Sequence, residues 1–209
     1  MRILSYMLRG CGSTRFLQRV LFRNMLSVDK KYEEFAKVLD FLPRGRSEAI
    51  KGREGPIIEA IGEERLTLLE LLAMENQDFG LGERVKIGKE GREKIVSVLG
   101  KLAYEELTPE ARASLPMVVE SIVKDYESKY VVYFNELQPL TPRLHGLELI
   151  PGIGKTFMKE IVEMREKMPF ASFSDIQDRV GLRDPAKMIA KRIVEELSGE
   201  SHISIFVKK

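Results

Sequence analysis

The segment Leu149-Ile150-Pro151-Gly152-Ile153-Gly154-Lys155 decides the fold of the C-terminal part of the chain. We expect it to join two helices by a very short turn, since its glycines permit positive φ angles and a close approach to a ligand. A helix that begins at Gly154 or Lys155 leaves its first N–H groups without a partner inside the helix. These N–H groups and the helix dipole form an anion site. The segment therefore predicts a helix-hairpin-helix loop that holds a phosphate group.

Neighbouring side chains support this hypothesis. Lys155 and Lys159 lie one helical turn apart and add positive charge, while Ile150 and Ile153 are expected to fix the loop to the core. The spacing of a Walker loop is absent, which favours a nucleic-acid backbone over a bound nucleotide. A backbone contact positions the ligand without reading its sequence. The alternative is that the glycines serve helix packing only. The predicted nucleic-acid-binding residues here are Ile150, Pro151, Gly152, Ile153, Gly154, Lys155, Thr156 and Lys159.

A second copy of the segment follows in the sequence. Residues 159–163, Lys-Glu-Ile-Val-Glu, match residues 191–195, Lys-Arg-Ile-Val-Glu, and the same offset aligns Gly152 with Asp184 and Gly154 with Ala186. The second copy thus lacks both glycines and has a carboxylate that can cap its own helix. We expect two hairpins packed together, of which the first binds and the second is structural.

Start and stop signals predict the other helices. A capping residue followed by proline marks helix starts at Thr108-Pro109, Thr141-Pro142 and Asp184-Pro185. The last of these helices is expected to run through Leu197 and to end before Gly199. Ser172 with Asp175 resembles a capping box. Apolar residues at helical spacing between 118 and 134 predict core positions. The tail from His202 to Val207 alternates like a strand.

The N-terminal half reads as β structure. Five short apolar segments are separated by glycine- and proline-rich turns, which is typical of a small, partly open barrel. The first strand is expected to stop at Pro43-Arg44-Gly45-Arg46. Basic residues suggest a binding face on this barrel, with Arg84 and Lys86 as the predicted contacts; an ordinary solvated surface is the alternative. Further basic residues are Lys89, Arg92, Lys94 and Lys101, with a second basic loop at Arg44, Arg46, Lys51 and Arg53.

The fold class predicted from these patterns is α+β, an OB-like small β-barrel followed by a tandem helix-hairpin-helix domain. The expected organisation is a basic tail at 1–28, the barrel at 29–106, connecting helices at 107–140, and the hairpin domain at 141–209 with a short C-terminal strand. Five arginines and no acid lie in residues 1–24, so the rest of the chain is net acidic despite the overall charge of +2. This segment is interpreted either as a transit peptide or, preferably, as sequence upstream of a start near Met25.

Residue counts exclude several classes of protein. Cys11 is the only cysteine, and His145 and His202 are the only histidines, so no disulfide framework, zinc site or nucleophilic triad can be assembled. We therefore expect no catalytic residue, no metal and no cofactor. No apolar run reaches the roughly 18 residues that a membrane helix needs. The sequence predicts a cytoplasmic protein without a membrane partner.

Seven short segments between about Tyr32 and the end carry a family resemblance. They are residues 41–46 (Phe-Leu-Pro-Arg-Gly-Arg), 60–63 (Ala-Ile-Gly-Glu), 67–70 (Thr-Leu-Leu-Glu), 82–88 (Gly-Glu-Arg-Val-Lys-Ile-Gly), 104–108 (Tyr-Glu-Glu-Leu-Thr), 143–145 (Arg-Leu-His) and 149–155. In these segments the chain resembles the archaeal domain-of-unknown-function family six-five-five. The resemblance implies archaeal origin, an OB-like barrel with a helix-hairpin-helix domain, nucleic-acid binding, and no demonstrated enzyme activity.

The function predicted from the sequence is non-catalytic binding of RNA or DNA through the phosphate backbone. The basic strand beside an OB-like barrel favours RNA, and a larger nucleoprotein complex is an expected partner. Two alternatives stay open. One is an enzyme or accessory subunit of nucleic-acid processing, of the nuclease or ligase type, and the other is a protein–protein interaction module.

Overall fold

Five antiparallel strands form a curled sheet that makes up half of a barrel. In the computed structural model, which describes residues 32–207, the strand order is β4-β1-β2-β3-β5, so β4 and β5 are the two edges. The basic tail predicted at 1–28 lies outside the described residues. All five predicted strands are present, and the overall class is α+β as expected. Their bounds are β1 Phe35–Arg46, β2 Glu54–Gly62, β3 Leu68–Ala73, β4 Arg84–Lys86 and β5 Ile95–Lys101.

The first strand is longer than predicted. It continues through Pro43 to Arg46 instead of stopping there. The pairing of β1 with β2 shifts register between Leu42 and Gly45. A proline is tolerated in a strand at such an irregularity, because the ladder hydrogen bond that it cannot donate is already missing there. The turn signal at Pro43 thus marks a bulge.

One helix packs on β1 of the sheet, and a second helix follows it and packs against the C-terminal helices. Helix α1 spans Pro109–Asp125 and α2 spans Glu127–Glu136. Thr108 caps α1 as predicted, since its Oγ1 accepts a hydrogen bond from the Ala111 N–H at 3.1 Å. Tyr130 and Phe134 are fully buried, which confirms that these aromatic residues belong to the core.

The C-terminal part contains three further helices. They are α3 Lys155–Lys167, α4 Phe173–Val180 and α5 Pro185–Leu197. Ser172 and Asp184 cap α4 and α5, and both caps were predicted. The predicted helix start at Thr141-Pro142 is wrong. The Thr141 hydroxyl accepts a hydrogen bond from the Arg143 N–H and closes a turn between two short strands, β6 Pro139–Thr141 and β7 Leu144–His145.

The predicted C-terminal strand is also wrong, because residues 201–207 form bends and no strand. The backbone N–H groups of this tail donate to a side chain instead of to a neighbouring strand. The buried carboxylate of Glu196 accepts hydrogen bonds from the N–H groups of Ile205, Phe206 and Val207 at 2.9–3.0 Å. Phe206 packs against Tyr133, with ring centroids 4.7 Å apart. The alternating pattern thus reflects a tail tied to a side chain and not to a partner strand.

A continuous hydrophobic core links the sheet to the C-terminal helices. It contains Leu39 and Leu68 of the sheet, buried residues of α1 and α2, and buried residues of the last three helices. Residues from Glu33 onward form one compact unit. The loop between β7 and α3 therefore rests on a core that both halves of the chain contribute.

Candidate nucleic-acid interface

The segment that leads into α3 contains a tight turn anchored on both sides. A single 3-10 turn at Gly146–Leu149 takes the place of the longer first helix that was expected. Ile150 and Ile153 are buried, with 1% and 3% of their surface exposed, as predicted. The Ile153 N–H donates to the Ile150 carbonyl at 3.0 Å. The residues between and after them face solvent, so the loop backbone is presented outward on a fixed base.

The two glycines of this loop differ in what they require. Gly152 has a φ of 93°, and a Cβ there would lie 3.0 Å from the Cε of Met188 on α5. The positive φ strongly favours glycine, and a side chain would also require the Met188 methyl group to move by a few tenths of an ångström. Gly154 has a φ of −85°, and a Cβ there would meet no atom within 4 Å. The expectation that both glycines supply positive φ angles is therefore wrong for Gly154, which accepts any residue sterically.

The N-terminus of α3 is open. No side chain accepts from its first N–H groups, and its first turn contains no acidic residue. The first intrahelical bond runs from the Met158 N–H to the Gly154 carbonyl at 2.9 Å. The N–H groups of Lys155, Thr156 and Phe157 thus have no acceptor within residues 32–207. At the other end Arg179 donates to the Met164 and Met168 carbonyls, so the C-terminus is closed.

Lysines surround the open helix end. Lys155, Thr156 and Lys159 are exposed, and together they line a shallow concavity of about 450 Å³ that also contains Glu160 and Glu163. The Lys167 ammonium donates to Glu163 at 2.7 Å, and this bond lowers the pKa of the Glu163 carboxyl. Glu163 therefore already has a cationic partner, and the surface next to the helix end stays suited to an anion.

The second hairpin loop has a similar shape but a closed helix end. Gly181 has a φ of 74° and is followed by the buried Leu182, as Gly152 is followed by Ile153. Asp184 then caps α5, since its Oδ1 accepts from the Lys187 N–H at 3.2 Å. The alignment of Gly152 with Asp184 is therefore wrong, because Gly181 takes the place of Gly152 and lies one residue farther from the start of its helix.

The two predicted barrel contacts lie away from this loop. Arg84 forms an ion pair with the buried Glu63 at 2.9 Å and stacks on Phe35, with its guanidinium carbon 3.6 Å from the ring centroid. The hydrogen bond to Glu63 raises the pKa of Arg84. Lys86 and Arg84 line a separate cleft of about 270 Å³ at the β4 edge. The structure thus brings the loop residues together but does not add Arg84 and Lys86 to them.

Several basic side chains near β4 and β5 already have hydrogen-bond or ion-pair partners within the protein. Arg92 donates to the carbonyl oxygens of Ile87 and Gly88, at 2.9 and 2.8 Å. Lys94 pairs with Glu83 at 2.6 Å. These bonds hold the edges of the sheet together. The local excess of basic residues counted from the sequence therefore overstates the charge that this face offers to a ligand.

A groove between the two hairpins was not anticipated from the sequence. It has a volume of about 720 Å³, and it is lined by Pro151, Gly152, Lys187, Met188 and Lys191, among others. Lys187 and Lys191 lie one turn apart on α5, as Lys155 and Lys159 do on α3. This shared lysine spacing was the one sequence feature that pointed to the groove. The groove itself forms only because the folded chain places the first loop against α5.

No group of three or more His, Cys, Asp or Glu side chains that could hold a metal ion occurs among residues 32–207. The same residues contain no helix that is long and apolar enough to cross a membrane.

Comparison with known proteins identifies the family. Residues 32–208 match the family model described as protein of unknown function DUF655. An uncharacterized protein of Methanocaldococcus jannaschii is 44% identical over 171 residues, which cover 82% of this chain and 77% of that protein. The crystal structure of a DUF655 protein from Archaeoglobus fulgidus superposes with a TM-score of 0.75 at 40% identity, covering 84% of this chain and all of that one. Both relatives are archaeal, in line with the expected origin. The chain belongs to the DUF655 family of proteins of unknown function.

Proposed function

We propose that this protein is a non-catalytic nucleic-acid-binding protein that holds a phosphate group of the backbone at the N-terminus of α3. The observation that carries the proposal is the open helix end, where the N–H groups of Lys155 and Thr156 have no acceptor in the described chain. Helices α1, α4 and α5 instead have side-chain caps. An uncapped N-terminus beside two exposed lysines suits a phosphate oxygen.

The arrangement of the elements supports a finer description of the fold. Two short hairpins, one at 146–167 and one at 173–197, share a core and each contain a positive-φ glycine followed by a buried apolar residue. We interpret them as tandem helix-hairpin-helix motifs. The five antiparallel strands of the partly open sheet agree with an OB-like barrel. OB-like barrels bind oligonucleotides in many proteins, although the fold by itself does not imply a function.

The target class follows from the kind of contact. Backbone N–H groups and lysines recognise phosphate without reading bases, so binding is largely independent of sequence. It weakens as salt rises, because bound cations are released from the nucleic acid. We retain RNA as the favoured target over DNA, within a larger nucleoprotein complex.

The test replaces Gly154 with aspartate. The site tolerates a side chain, and an aspartate there caps α3, so Gly154→Asp should leave the free energy of unfolding unchanged or raise it by a few tenths of a kcal/mol. Its carboxylate occupies the phosphate position, so affinity for labelled RNA and DNA should fall at least tenfold. Fluorescence anisotropy and urea unfolding measure the two effects.

The control is Asp184→Ala, which removes the cap of α5. It should cost about 1 kcal/mol of stability and leave affinity unchanged. Wild-type affinity in folded Gly154→Asp protein would contradict the proposal, as would a loss of binding in Asp184→Ala alone. Cleavage of the same probes in magnesium, retained through purification, would place the protein among the enzymes instead.

A further inference from the structure

The end of β1, the turn after it and the start of β2 form a basic arm, defined here as Pro43–Gly55. It contains the cations Arg44, Arg46, Lys51 and Arg53 and the acids Glu48 and Glu54. Arg46 pairs with Glu54 at 2.9 Å. Arg44, Lys51 and Arg53 are exposed and have no ion pair or hydrogen bond from their side chains to any residue between 32 and 207. The arm therefore presents three uncommitted cations against one uncommitted acid.

A buried carboxylate holds the arm in place. Glu70 on β3 has 1% of its surface exposed and accepts hydrogen bonds from the N–H groups of Glu48, at 2.9 Å, and Ala49, at 3.3 Å. It also accepts from the Ser47 hydroxyl. The Ser47 oxygen in turn accepts from the Ile50 N–H at 2.8 Å. A charged acceptor with this many donors strongly fixes the loop.

The arm also packs on the edge of the sheet. Glu70 pairs with Gly100 of β5, and a Cβ on Gly100 would lie only 2.8 Å from the Cβ of Ala49. The arm thus folds back over β3 and β5 in close contact. Ile50 in this fixed arm stays 44% exposed. The cations are attached to an ordered backbone, so little entropy is lost when they engage a ligand.

The arm differs from the basic stretch on β4 and β5. There, Arg84, Arg92 and Lys94 are bonded to Glu63, to backbone carbonyls and to Glu83. Those cations stabilise the fold, whereas the arm cations do not. Lys89 and Lys101 remain exposed on that side, so the arm is distinguished by three unpaired cations grouped between residues 44 and 53.

We propose that this arm is a second phosphate-backbone contact, which binds another part of the nucleic acid held at α3. The inference rests on the proposed function. A nucleic acid offers phosphates in a continuous row, so a strand long enough to span the two sites would engage the arm and the helix end together. Arg44 and Arg53 have the planar guanidinium groups that form paired hydrogen bonds to phosphate.

The test compares two triple variants of the full chain. Arg44→Ala/Lys51→Ala/Arg53→Ala removes the arm cations, and Arg112→Ala/Lys124→Ala/Arg143→Ala removes three exposed cations elsewhere. With labelled single-stranded RNA of about 30 nucleotides, the arm variant should lose at least tenfold in affinity. The salt slope is the slope of the logarithm of the binding constant against the logarithm of the salt concentration. In the arm variant its magnitude should fall by about two units, at about 0.7 per lost phosphate contact. The control variant should change affinity by less than threefold.

A third variant tests the role of Glu70 as a positioning residue. Glu70→Gln keeps all the arm cations, and its amide oxygen accepts fewer bonds from the loop. Hydrogen exchange at the Glu48, Ala49 and Ile50 amides should accelerate, and affinity should fall severalfold with the cations unchanged. Unaltered exchange at these amides would refute the claim that Glu70 orders the arm.

The outcomes separate this inference from the proposed function. If wild-type protein binds RNA and Gly154→Asp weakens binding, but the arm variant binds like the control triple, the arm proposal alone fails. If wild-type protein binds no nucleic acid, the proposed function fails. If the arm variant loses binding only to phosphatidylserine vesicles and keeps its affinity for RNA, the arm binds a lipid surface and the inference is overturned.

Discussion

The two hairpin loops of this protein both turn at a positive-φ glycine but differ in the residue that precedes the following helix. Each has a glycine with positive φ, Gly152 or Gly181, followed by a buried apolar residue, and each leads into a helix of 13 residues. The residue before the helix is Gly154 in the first loop and Asp184 in the second. The first helix end is open to an anion, and the second is closed by its own carboxylate. The same turn thus serves as a candidate binding site or as a structural connection, depending on its N-cap residue.

The largest effect is expected from Gly152→Asp, matched by Gly181→Asp. At both positions an aspartate must adopt positive φ, which costs about 1–2 kcal/mol. At Gly152 the new Cβ also requires the terminal methyl of Met188 to shift, whereas at Gly181 it meets no atom within 4 Å. Gly152→Asp should therefore lose more stability in urea unfolding and more than tenfold in nucleic-acid affinity. Equal losses of affinity in the two folded variants would remove the distinction between the loops.

A smaller effect is expected from the lysines beside each loop. Lys155→Ala and Lys159→Ala should each weaken binding modestly and lower the salt slope by up to about one unit, if each side chain neutralises a phosphate. Lys187→Ala and Lys191→Ala at the corresponding face of α5 are the controls. Binding titrations between 50 and 200 mM salt, a range in which such contacts are resolved, give the slopes. An equal fall in salt slope for the lysine variants of α3 and of α5 would mean that both hairpins bind nucleic acid.

Asp184→Gly tests whether an open helix N-terminus is sufficient to bind a phosphate group. It removes the cap of α5, but it also relieves the positive φ of 49° at Asp184, so stability should change by less than about 1 kcal/mol. Pro185 offers no N–H, so the opened end should raise the salt slope by less than about one unit. Affinity should stay equal or increase slightly. A clear fall in affinity would show that Asp184 itself takes part in binding.

The smallest expected effect is a change in the pH dependence of stability at the N-terminus of α1. A buried carboxylate of the protein itself lies there. Glu59 accepts from the Thr108 N–H at 2.9 Å. Burial raises the pKa of the Glu59 carboxyl, and Asp40 and Glu70 raise it further, while the Thr108 bonds lower it. Because the folded pKa lies above the unfolded one, ionised Glu59 costs stability at neutral pH. This cost is relieved as pH falls through the folded pKa.

Glu59→Gln should remove that pH dependence. Its unfolding free energy, relative to wild type, should be most favourable near pH 7 and should decline as pH approaches the unfolded glutamate pKa of about 4.3. Urea unfolding at several pH values measures this difference. A difference that grows on acidification would mean that the folded pKa of Glu59 is lowered.

Local sequence signals predicted most of the elements. Thr108, Ser172 and Asp184 marked helix starts because each can accept a hydrogen bond from a backbone N–H three residues later. The same logic failed at Thr141, whose hydroxyl accepts from a nearer N–H and closes a turn. A capping residue before proline thus fits a helix or a tight turn, and the sequence alone does not distinguish them.

Longer-range pairing explains the other errors. The alternating tail at 202–207 looked like a strand, but the Glu196 carboxylate takes up its N–H groups. The basic residues around β4 looked available, but Arg84 and Lys94 have acidic partners, Glu63 and Glu83. In each case the partner is distant or unmarked in the sequence, so its effect appears only in the fold.

The sequence by itself determined the α+β class, the helix that begins after Gly154, and the burial of Ile150 and Ile153 on either side of the turn. These features depend on backbone preferences and apolar periodicity, which act over a few residues. The tertiary structure decided which of the two glycines packs against another helix and which cations are free of partners. Those properties depend on contacts such as Met188 with Gly152 and Glu70 with the arm, and only the folded chain brings such residues together.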